Sequence, residues 1–500
     1  MKLKDIIVNC NLQELQGNKD LDINKVSFDS REAAPGTLFF AVKGTQTDGH
    51  AYIESALDKG ASAIVCEKMP QALREGVTYI RVDDSGYVLG VAAANFYGNP
   101  SKSLKLTGVT GTNGKTTIAT LLYRLFSDAG YSCGLLSTIE NIVDREVVPS
   151  THTTPDPVEL NALLKKMVDH GCEYAFMEVS SHAIDQHRIA GLHFAGGIFT
   201  NLTHDHLDYH ITLINYRNAK KKFFDDLPSN AFALTNLDDK NGAVMLQNTK
   251  ARKLSYALKH DADYKGIVME SHFDGMLMKV NGTEFHSLLV GGFNASNILA
   301  IYGAALALGF DKDELLVEIS KLHGAKGRFD MVHNDSGIVG IVDYAHTPDA
   351  LENVLKTINE VMKTENGERR TESSHLSPLS SHLLITVVGC GGNRDTTKRP
   401  EMAAVAVKLS DKVILTSDNP RNEDPDEIIR QMKEGINADE MRKVLSITDR
   451  REAIRTAVAL AQKGDIILLA GKGHEDYQIV KGVKRHFDDK EELTQAMKEK

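Results

Sequence analysis

The stretch that decides the fold is residues 104–130, LKLTGVTGTNGKTTIATLLYRLFSDAG. Its first residues, 104–110, form a run that predicts a buried strand, and the glycines after it predict a loop. A helix is indicated next, because apolar side chains recur at the spacing of one helical face, at Ile118, Leu121, Leu122, Leu125 and Phe126. Strand, glycine loop and helix, in that order, are the setting that a phosphate-binding loop requires.

The loop itself, GTNGKTT, contains the parts needed to hold a triphosphate. Gly111 and Gly114 let backbone N–H groups approach phosphate, and the following helix offers its positive N-terminus. Lys115 can neutralise phosphate oxygens, and the Thr116 hydroxyl can bind Mg²⁺. The usual signature also has glycine five positions before Gly114, where this chain has Val109, so a glycine turn that binds nothing is the alternative. The predicted nucleotide contacts in this loop are Gly111, Thr112, Asn113, Gly114, Lys115, Thr116 and Thr117.

The composition is typical of a soluble globular protein. The 500 residues, 42% hydrophobic and 25% charged, suggest about three domains. A net charge of −10 argues against nonspecific nucleic-acid binding. The five cysteines are scattered and form no CxxC pair, which suits a reducing compartment. The first residues lack the apolar core of a signal peptide, and the longest uncharged stretch, 298–310, predicts a buried helix rather than a membrane span. We expect a cytoplasmic, soluble monomer without nucleic-acid or membrane partners.

Turn signals divide the chain into three predicted domains of the α/β class, residues 1–102, 103–326 and 327–500. The last contains three apolar runs, LLITVV, KVILT and DIILLA, each followed by a polar or glycine-rich loop. Such runs predict strands covered on both faces, as in a parallel sheet, whose ligands bind beyond the carboxyl ends of the strands. Residues 364–382, rich in serine and glutamate, predict a surface insertion.

Polar side chains that suit a magnesium ion follow two further apolar runs. Glu178 closes the run YAFME, and GGIFT is followed by Asn201, Asp205, His206 and Asp208. Carboxylate, imidazole and threonine oxygen can hold Mg²⁺ against phosphates, provided that the ion keeps some of its water.

The same stretch leaves a hydrolase as an alternative. His204, His206 and Asp208 form HxHxD, which opens the zinc signature of metallo-β-lactamase-like hydrolases. That signature continues with histidine, whereas this chain has Tyr209, and such a hydrolase has no use for GTNGKTT.

A set of motifs, in order and across most of the chain, resembles the Mur ligases: GTNGKTT, EVSSHAIDQHR, FTNLTHDHLDYH, YRNAKKKFF, GGFNASN, GRFDMV and VDYAHTPDAL. DSREAAPGTLFFAVKG and DNPR resemble the MurE branch of that family. The resemblance implies an N-terminal α/β domain that binds a uridine nucleotide, a central P-loop-type ATPase with a parallel sheet, and a C-terminal Rossmann-like domain that receives the amino acid. It implies an ATP- and Mg²⁺-dependent ligase that adds meso-diaminopimelate to UDP-N-acetylmuramoyl-L-alanyl-D-glutamate through an acyl phosphate, in peptidoglycan precursor synthesis.

The resemblance also implies roles for single residues. Ser30, with Phe28 nearby, would contact the uridine, and Lys220 occupies the position of the family's carbamylated lysine. From composition alone, a run of three lysines is more typical of a solvated helix face. The muramoyl-dipeptide would contact Thr153, Thr154, Ser180, Gln186 and Arg188. The adenosine and phosphates would lie near Asn294, Asn297, Arg328 and Asp343. The implied catalytic residues are Lys115, Glu178, His206 and Lys220, and the implied metal ligands are Thr116, Glu178, His206 and Lys220.

The late motif DNPR resembles the part of the MurE branch that recognises diaminopimelate, although Asn-Pro is also a common turn dipeptide. Diaminopimelate differs from lysine by a second carboxylate, which Arg421 could pair with bidentately. The implied pocket consists of Arg394, Asp418, Asn419, Pro420, Arg421, Gly471 and Glu475, with Glu475 facing an ammonium group.

Two other classes remain open at this point. A folylpolyglutamate synthase or cyanophycin-type ligase would share the ATPase and C-terminal domains but lack the domain that contains DSR. An ATP-binding regulator without catalysis would be expected to lack Lys115, Glu178 or Lys220, and all three are present.

Overall fold

The described part of the chain folds into three α/β units, each built on its own main sheet. In this computed structural model the described residues are 1–44, 47–150, 152–334, 337–372 and 382–500. The cores of the units are the buried apolar faces of these sheets and of the helices packed on them. No helix in the described ranges is both long and apolar enough to cross a membrane.

The N-terminal unit has a sheet in the order β1-β5-β4-β3-β2, in which β1 is antiparallel to β5 and the other pairs are parallel. Its strands are β1 (Glu14–Gln16), β2 (Lys25–Ser27), β3 (Thr37–Phe40), β4 (Ala63–Cys66) and β5 (Thr78–Arg81). Its α-helices are α1 (Leu3–Ile6), α2 (Ile53–Asp58) and α3 (Ser85–Phe96). At Gly90 in α3, an added Cβ would lie 2.8 Å from the Cβ of Ala190, so glycine permits the close approach of this helix to the next unit.

The central unit is organised around the predicted strand–loop–helix, which the structure confirms as β6 followed by α4. The strands of this unit are β6 (Lys105–Thr110), β7 (Cys133–Leu136), β8 (Glu140–Val143), β9 (Glu146–Pro149), β10 (Tyr174–Glu178), β11 (Gly196–Phe199), β12 (Phe232–Asn236), β13 (Arg252–Ala257), β14 (Tyr264–His272), β15 (Gly275–Val280) and β16 (Thr283–Ser287). Its helices are α4 (Lys115–Asp128), α5 (Pro157–Asp169), α6 (Ser181–Asp185), α7 (Leu207–His210), α8 (Leu213–Asp225), α9 (Gly242–Met245), α10 (Gly292–Leu308) and α11 (Lys312–Ser320).

The centre of this sheet is parallel, from β7 through β10, β6, β11, β12 and β13 to β14. Antiparallel strands extend it at both edges, β8 and β9 on one side and β15 and β16 on the other. Because β10, β6 and β11 are neighbours and parallel, the loops after all three emerge at one edge of the sheet. Helix α10 is buried over most of its length, which confirms the predicted buried helix.

The C-terminal unit has a sheet in the order β17-β18-β22-β19-β20-β21, parallel except for β17. Its strands are β17 (Asp330–His333), β18 (Val339–Asp343), β19 (Leu384–Val388), β20 (Lys412–Leu415), β21 (Val444–Ser446) and β22 (Ile466–Ala470), with the hairpin β23 (Tyr477–Val480) and β24 (Val483–His486). Its helices are α12 (Pro348–Glu372), α13 (Lys398–Leu409), α14 (Pro425–Lys433), α15 (Arg450–Leu460) and α16 (Asp489–Glu499).

The three apolar runs predicted to be parallel strands are β19, β20 and β22, fully buried except for Lys412. The first residues of the predicted surface insertion at 364–382 are helical, because α12 continues through Glu372. Residues 373–381 of that insertion lie outside the described residues.

Candidate active site

The phosphate-binding loop lies between β6 and α4 and is shaped by two glycines. Gly111 has φ +152° and Gly114 has φ +89°, and both values favour glycine. An added Cβ at Gly111 would lie 1.8 Å from Thr200 Oγ1, at the end of neighbouring strand β11. Val109, where the usual signature has glycine, lies inside β6 with parallel neighbours on both sides. In this chain the loop therefore starts later, and glycine at position 109 is not needed.

Lys115, the first residue of α4, places a half-buried ammonium group in this loop. Its Nζ donates to the carbonyl oxygens of Gly111 at 3.0 Å and Thr112 at 2.8 Å. Burial lowers the pKa of Lys115, and the charges of Glu178 and Asp205 oppose that shift. Two backbone carbonyls do not neutralise a cation, so the geometry suits an anionic ligand such as phosphate.

Lys220 of α8 brings a second amine, which is buried, to the same loop. It is 1% exposed, its Nζ donates to the Gly111 carbonyl at 2.8 Å, and Nζ lies 4.5 Å from the centroid of the Tyr216 ring. Burial and the nearby Lys115 lower the pKa of Lys220 well below its usual value. The alternative of a solvated lysine face is wrong for Lys220, although Lys222 on the same helix is exposed.

Glu178 closes β10, as predicted, and lies beside the loop. Its side chain is 1% exposed, and Oε1 accepts a hydrogen bond from the backbone N–H of Thr138 at 2.7 Å. Among the described residues its carboxylate has no ion pair, so a cation bound in the site would be its natural partner. His206 has φ +54° and its Nε2 lies 3.4 Å from Asp205 Oδ2. Asp205 is largely buried, which would raise its pKa, but His206, His346 and Lys115 outweigh burial and lower it.

The donor set fits Mg²⁺ held partly by phosphate and water. Within the described ranges, no three His, Cys, Asp or Glu side chains are grouped to hold a metal by themselves. The Thr116 hydroxyl accepts from Arg328 Nη2 at 3.1 Å, which joins the loop to the C-terminal unit. The side chain of Asp208 lies outside the described ones.

A cavity of about 440 Å³ brings most of the predicted ATP and metal residues together. Those that line it are Thr112, Asn113, Gly114, Lys115, Thr116, Thr117, Glu178, His206, Lys220, Asn297, Arg328 and Asp343. Two of the predicted dipeptide residues, Thr153 and Ser180, line it as well. Gly111 lies behind this lining and presents its carbonyl to both lysines. Asn294 instead lines an adjoining cavity of about 560 Å³, which also contains Arg328. The two asparagines are linked, because Asn297 Nδ2 donates to Asn294 Oδ1 at 3.1 Å.

The predicted dipeptide residues outside the cavity form one hydrogen-bonded group at its rim. Arg188 donates to the Thr154 carbonyl at 2.9 Å and to Gln186 Oε1 at 2.7 Å. The Thr154 hydroxyl lies 3.4 Å from Ser180 Oγ, which caps α6.

The predicted uridine residues lie in the N-terminal unit and not in this cavity. Ser30 is buried at the start of a short 3₁₀ turn, Ser30–Glu32, whereas Phe28 is 42% exposed. An exposed aromatic ring beside a buried polar turn is suited to stacking on a planar ligand.

The predicted amino-acid residues form a second cluster beyond β19, β20 and β22. Asn419 Nδ2 donates to Glu475 Oε2 at 2.7 Å, and Arg421 Nη1 donates to the Gly392 carbonyl at 2.8 Å. Arg394 is exposed and flanks Gly391 together with Arg421. Further contacts come from Pro420, whose carbonyl packs on Gly392, and Gly471, whose added Cβ would lie 3.0 Å from Asp418 Oδ2.

Sequence reasoning missed the residues that connect the 440 Å³ cavity to the cluster of predicted amino-acid residues. The Tyr344 ring packs against His346, which lines the cavity, and against His474 of the amino-acid cluster. Arg328 lies over the same ring, 4.5 Å from its centroid. Burial, with Arg328 and other cations nearby, lowers the pKa of His474 to about 3. The motifs VDYAHTPDAL and GKGHE contain these side chains, but no spacing rule indicates that they meet. Sequence reasoning also missed Lys472, which lies in the same GKGHE motif as His474.

Comparison with protein families gives matches over most of the chain. Residues 22–97 match the model described as "Mur ligase family, catalytic domain", residues 109–305 match "Mur ligase middle domain", and residues 327–473 match "Mur ligase, glutamate ligase domain".

Curated relatives match over nearly their whole length. The UDP-N-acetylmuramoyl-L-alanyl-D-glutamate–2,6-diaminopimelate ligase of Bacteroides fragilis is 57% identical over 99% of this chain and 98% of its own. The ligase of the same name from Clostridioides difficile is 40% identical, over 99% of each chain.

Solved structures agree with this architecture. A structure of a UDP-N-acetylmuramoyl-L-alanyl-D-glutamate–2,6-diaminopimelate ligase superposes with a TM-score of 0.69 at 34% identity, covering 100% of this chain and 99% of that one. MurF of Thermotoga maritima in complex with ADP, 20% identical with a TM-score of 0.60, covers 96% of this chain and 99% of its own, and shares the fold.

Proposed function

Since the chain belongs to the Mur ligase family, we propose that it is an ATP-dependent ligase that joins meso-diaminopimelate to UDP-N-acetylmuramoyl-L-alanyl-D-glutamate. The relatives 40–57% identical to it carry the name of that reaction. Membership of this family argues against the zinc hydrolase that the HxHxD motif had left as an alternative. The match of residues 22–97 to a Mur ligase model also argues against a folylpolyglutamate synthase, which was expected to lack the domain containing DSR.

The observation that carries the proposal is the meeting of a half-buried amine, Lys115, a buried amine, Lys220, and a buried carboxylate, Glu178, at the ends of adjacent parallel strands. Lys115 and Lys220 share the Gly111 carbonyl, and Glu178 lines the same cavity. Such a site can hold the β- and γ-phosphates between cations while a carboxylate retains Mg²⁺. Mg²⁺, when bound, would neutralise phosphate charge. Thr153 and Ser180 line the same cavity, which supports binding of the dipeptide substrate there.

The chemistry requires activation, because a carboxylate is a poor electrophile. The substrate carboxylate attacks the γ-phosphorus of ATP and gives an acyl phosphate and ADP. The amine of diaminopimelate then attacks the acyl carbon, phosphate leaves, and one proton is released. Both reactants of the first step are anions, so Lys115 lowers their repulsion, and Mg²⁺ would add to this effect when bound. Cavity walls from two units, with Arg328 bridging to Thr116, would exclude water from the intermediate.

We infer that Lys220 is carbamylated in the working enzyme. A neutral amine attacks the carbon of CO₂, its N–H proton is lost, and an N-carboxylate remains as an anionic oxygen ligand. The lowered pKa of Lys220, caused by burial and by Lys115, favours the neutral amine that this reaction needs. The resulting carboxylate would lie beside Lys115 and suit a second Mg²⁺.

We assign recognition of the far carboxylate of diaminopimelate to Arg421. Its backbone N–H donates to the Ile479 carbonyl at 3.0 Å, and its Nη1 is occupied by Gly392. Among the described residues Nε and Nη2 have no hydrogen-bond partner, and together they form one edge of the guanidinium. A carboxylate can accept from that edge with both oxygens. Lysine has no group to fill this position, so its binding would leave the edge unpaired.

We also propose a cytoplasmic location, because the substrate is a nucleotide-linked precursor and the five cysteines are buried free thiols.

The decisive experiment is release of phosphate from ATP by the purified protein with UDP-N-acetylmuramoyl-L-alanyl-D-glutamate, magnesium and one amino acid at a time. We expect stoichiometric phosphate and amide product with meso-diaminopimelate, and little of either with lysine. A protein that consumes no ATP under these conditions is not this ligase. Stoichiometric zinc in the active protein would also count against the assignment.

A further inference from the structure

Lys472 is a lysine of the amino-acid cluster whose side chain is completely buried. It follows β22 by two residues and is 0% exposed. Its Nζ donates to the Tyr477 carbonyl at 2.5 Å and lies 3.3 Å from Glu475 Oε2 and 3.9 Å from Asp418 Oδ1. A buried ammonium is retained only when it is paired and hydrogen-bonded, and Lys472 meets both conditions.

The surroundings of Glu475 explain why a cation is needed there. Asp418, after β20, is a second carboxylate against the same ammonium, and Asn419 donates to Glu475 Oε2 at 2.7 Å. Charged or titratable groups also face Glu475 from Tyr344 after β18, Tyr477 in β23 and Arg450 at the start of α15. Without Lys472, the buried carboxylate of Asp418 and the half-buried carboxylate of Glu475 would lie close together with no cation between them.

We propose that Lys472 is a positioning residue for amino-acid recognition: its buried ammonium fixes the Glu475 carboxylate and keeps it ionised to receive an ammonium group of the incoming diamino acid. Lys472 does not contact the substrate, because its side chain has no exposed surface. Asp418 and Glu475 together carry two negative charges and Lys472 carries one positive charge, so one net negative charge remains. That charge complements the cationic end of the substrate, while Arg421 complements its far carboxylate. The role rests on the proposed function of this pocket.

The proposal predicts a specific pH dependence. Burial and the charge of Asp418 raise the pKa of Glu475, and Lys472 and Asn419 oppose that rise. Glu475 carries its charge above that pKa, so the KM for diaminopimelate falls as pH rises through it. Removing Lys472 moves this fall to higher pH, and removing Asp418 moves it to lower pH.

The test compares Lys472→Met with wild type between pH 5 and 8, measuring KM for diaminopimelate, ATP and the nucleotide-linked dipeptide. Methionine is unbranched and only one atom shorter than lysine, and it carries no charge. We expect the fall in KM for diaminopimelate to move up by about one pH unit or more, which is about tenfold in KM at a pH below both midpoints. The other two KM values should stay within about twofold. The ionisation of diaminopimelate affects both proteins equally. The ratio of their KM values at each pH therefore reports only the ionisation of the enzyme.

Lys484→Met is the matched control. Lys484 is exposed, and its Nζ lies 3.9 Å from the centroid of the Tyr477 ring, while Lys472 lies 5.6 Å from the same ring. We expect wild-type KM values and pH dependence from this variant. A double-mutant cycle with Glu475→Gln tests whether Lys472 acts through Glu475, because glutamine cannot titrate. In the Glu475→Gln background, Lys472→Met should change KM for diaminopimelate by less than about twofold.

Additive effects in the cycle, or an unshifted pH profile in Lys472→Met, would overturn the proposal. If Lys472→Met does not fold, Asp418→Asn tests the same argument. The fall in KM for diaminopimelate must then move to lower pH, and an unchanged midpoint of that fall contradicts the charge argument. Lack of ligase activity in the wild type would count against the proposed function instead. In that case the ¹³C chemical shift of the Glu475 carboxyl carbon, assigned by its loss in Glu475→Gln, can be followed against pH without any substrate. The titration midpoint of Glu475 must still move to higher pH in Lys472→Met.

Discussion

Replacing Arg421 by lysine or alanine provides the sharpest test of amino-acid selection. Arg421 has φ +53°, and its main chain is held on both sides, since its N–H donates to Ile479 and its carbonyl accepts from the N–H of Lys481 at 2.6 Å. Its Nη1 is held by Gly392 at 2.8 Å. The guanidinium is therefore oriented before the substrate arrives, and its free edge of Nε and Nη2 defines where a carboxylate would bind.

The expected loss follows from the number of charge-assisted hydrogen bonds. Each contributes about 1.5–3 kcal/mol, so losing two from one edge costs about 3–6 kcal/mol in Arg421→Ala. At 1.36 kcal/mol per factor of ten, kcat/KM for diaminopimelate should fall by about 10²- to 10⁴-fold. Arg421→Lys retains a charge and one donor direction, so we expect a fall of about 10- to 100-fold.

The assay is steady-state phosphate release with diaminopimelate or lysine varied at saturating ATP and dipeptide substrate. The KM for ATP should be unchanged, because Arg421 lies in the second cluster and not in the ATP cavity. Arg485→Ala, on the exposed strand β24, is the control and should behave as wild type. The reasoning is refuted if wild type uses lysine and diaminopimelate equally well and Arg421→Ala leaves that ratio unchanged.

Three further outcomes are expected. Lys220→Ala should lose most ligase activity and recover part of it when short carboxylates are added. The control Lys222→Ala, on the exposed face of the same helix, should have wild-type activity. Wild-type rates for Lys220→Ala would contradict carbamylation of Lys220. Gly111→Ala should lower kcat/KM for ATP by about 100-fold, because its Cβ would meet Thr200 at 1.8 Å and shift the loop; Gly86→Ala, with 3.4 Å of clearance, is the control. Arg450→Met should destabilise the protein by about 3–5 kcal/mol in denaturant unfolding, because it leaves Asp489 buried and unpaired; an additional Asp489→Leu should restore part of that loss.

Local patterns were sufficient for the framework of the fold. The strand, glycine loop and helix at residues 104–130 each have a signal within a few residues, and the three apolar runs of the C-terminal unit became β19, β20 and β22. Glu178 was correctly predicted at the end of an apolar run, and it lies beside the loop because β10 and β6 are neighbours. The sequence did not indicate that helix α12 continues into the serine-rich insertion as far as Glu372.

Contacts between segments that are distant in the sequence could not be predicted from local patterns. Lys220 meets the Gly111 carbonyl across 109 positions, and composition favoured a solvated lysine. Only the family resemblance singled it out. Lys472 is buried where it donates to Tyr477 of the 477–486 hairpin, and Arg450 is buried where it pairs with Asp489 of α16. No spacing in the sequence distinguishes them from surface cations. The charge of a buried residue is decided by its partners, and those partners come from other strands and helices.

The arrangement at Gly111 connects the charge of Lys220 to the binding of phosphate. Two amines donate to one carbonyl oxygen, at 3.0 Å from Lys115 and 2.8 Å from Lys220, so two full positive charges there would repel strongly. The repulsion is relieved when Lys220 is neutral, and the neutral amine is the form that can capture CO₂. Once formed, the carbamate would face Lys115 as an anion, so the pair would attract instead of repel. Carbamylation would thus stabilise the ammonium of Lys115 in its half-buried position and leave it charged for the incoming triphosphate.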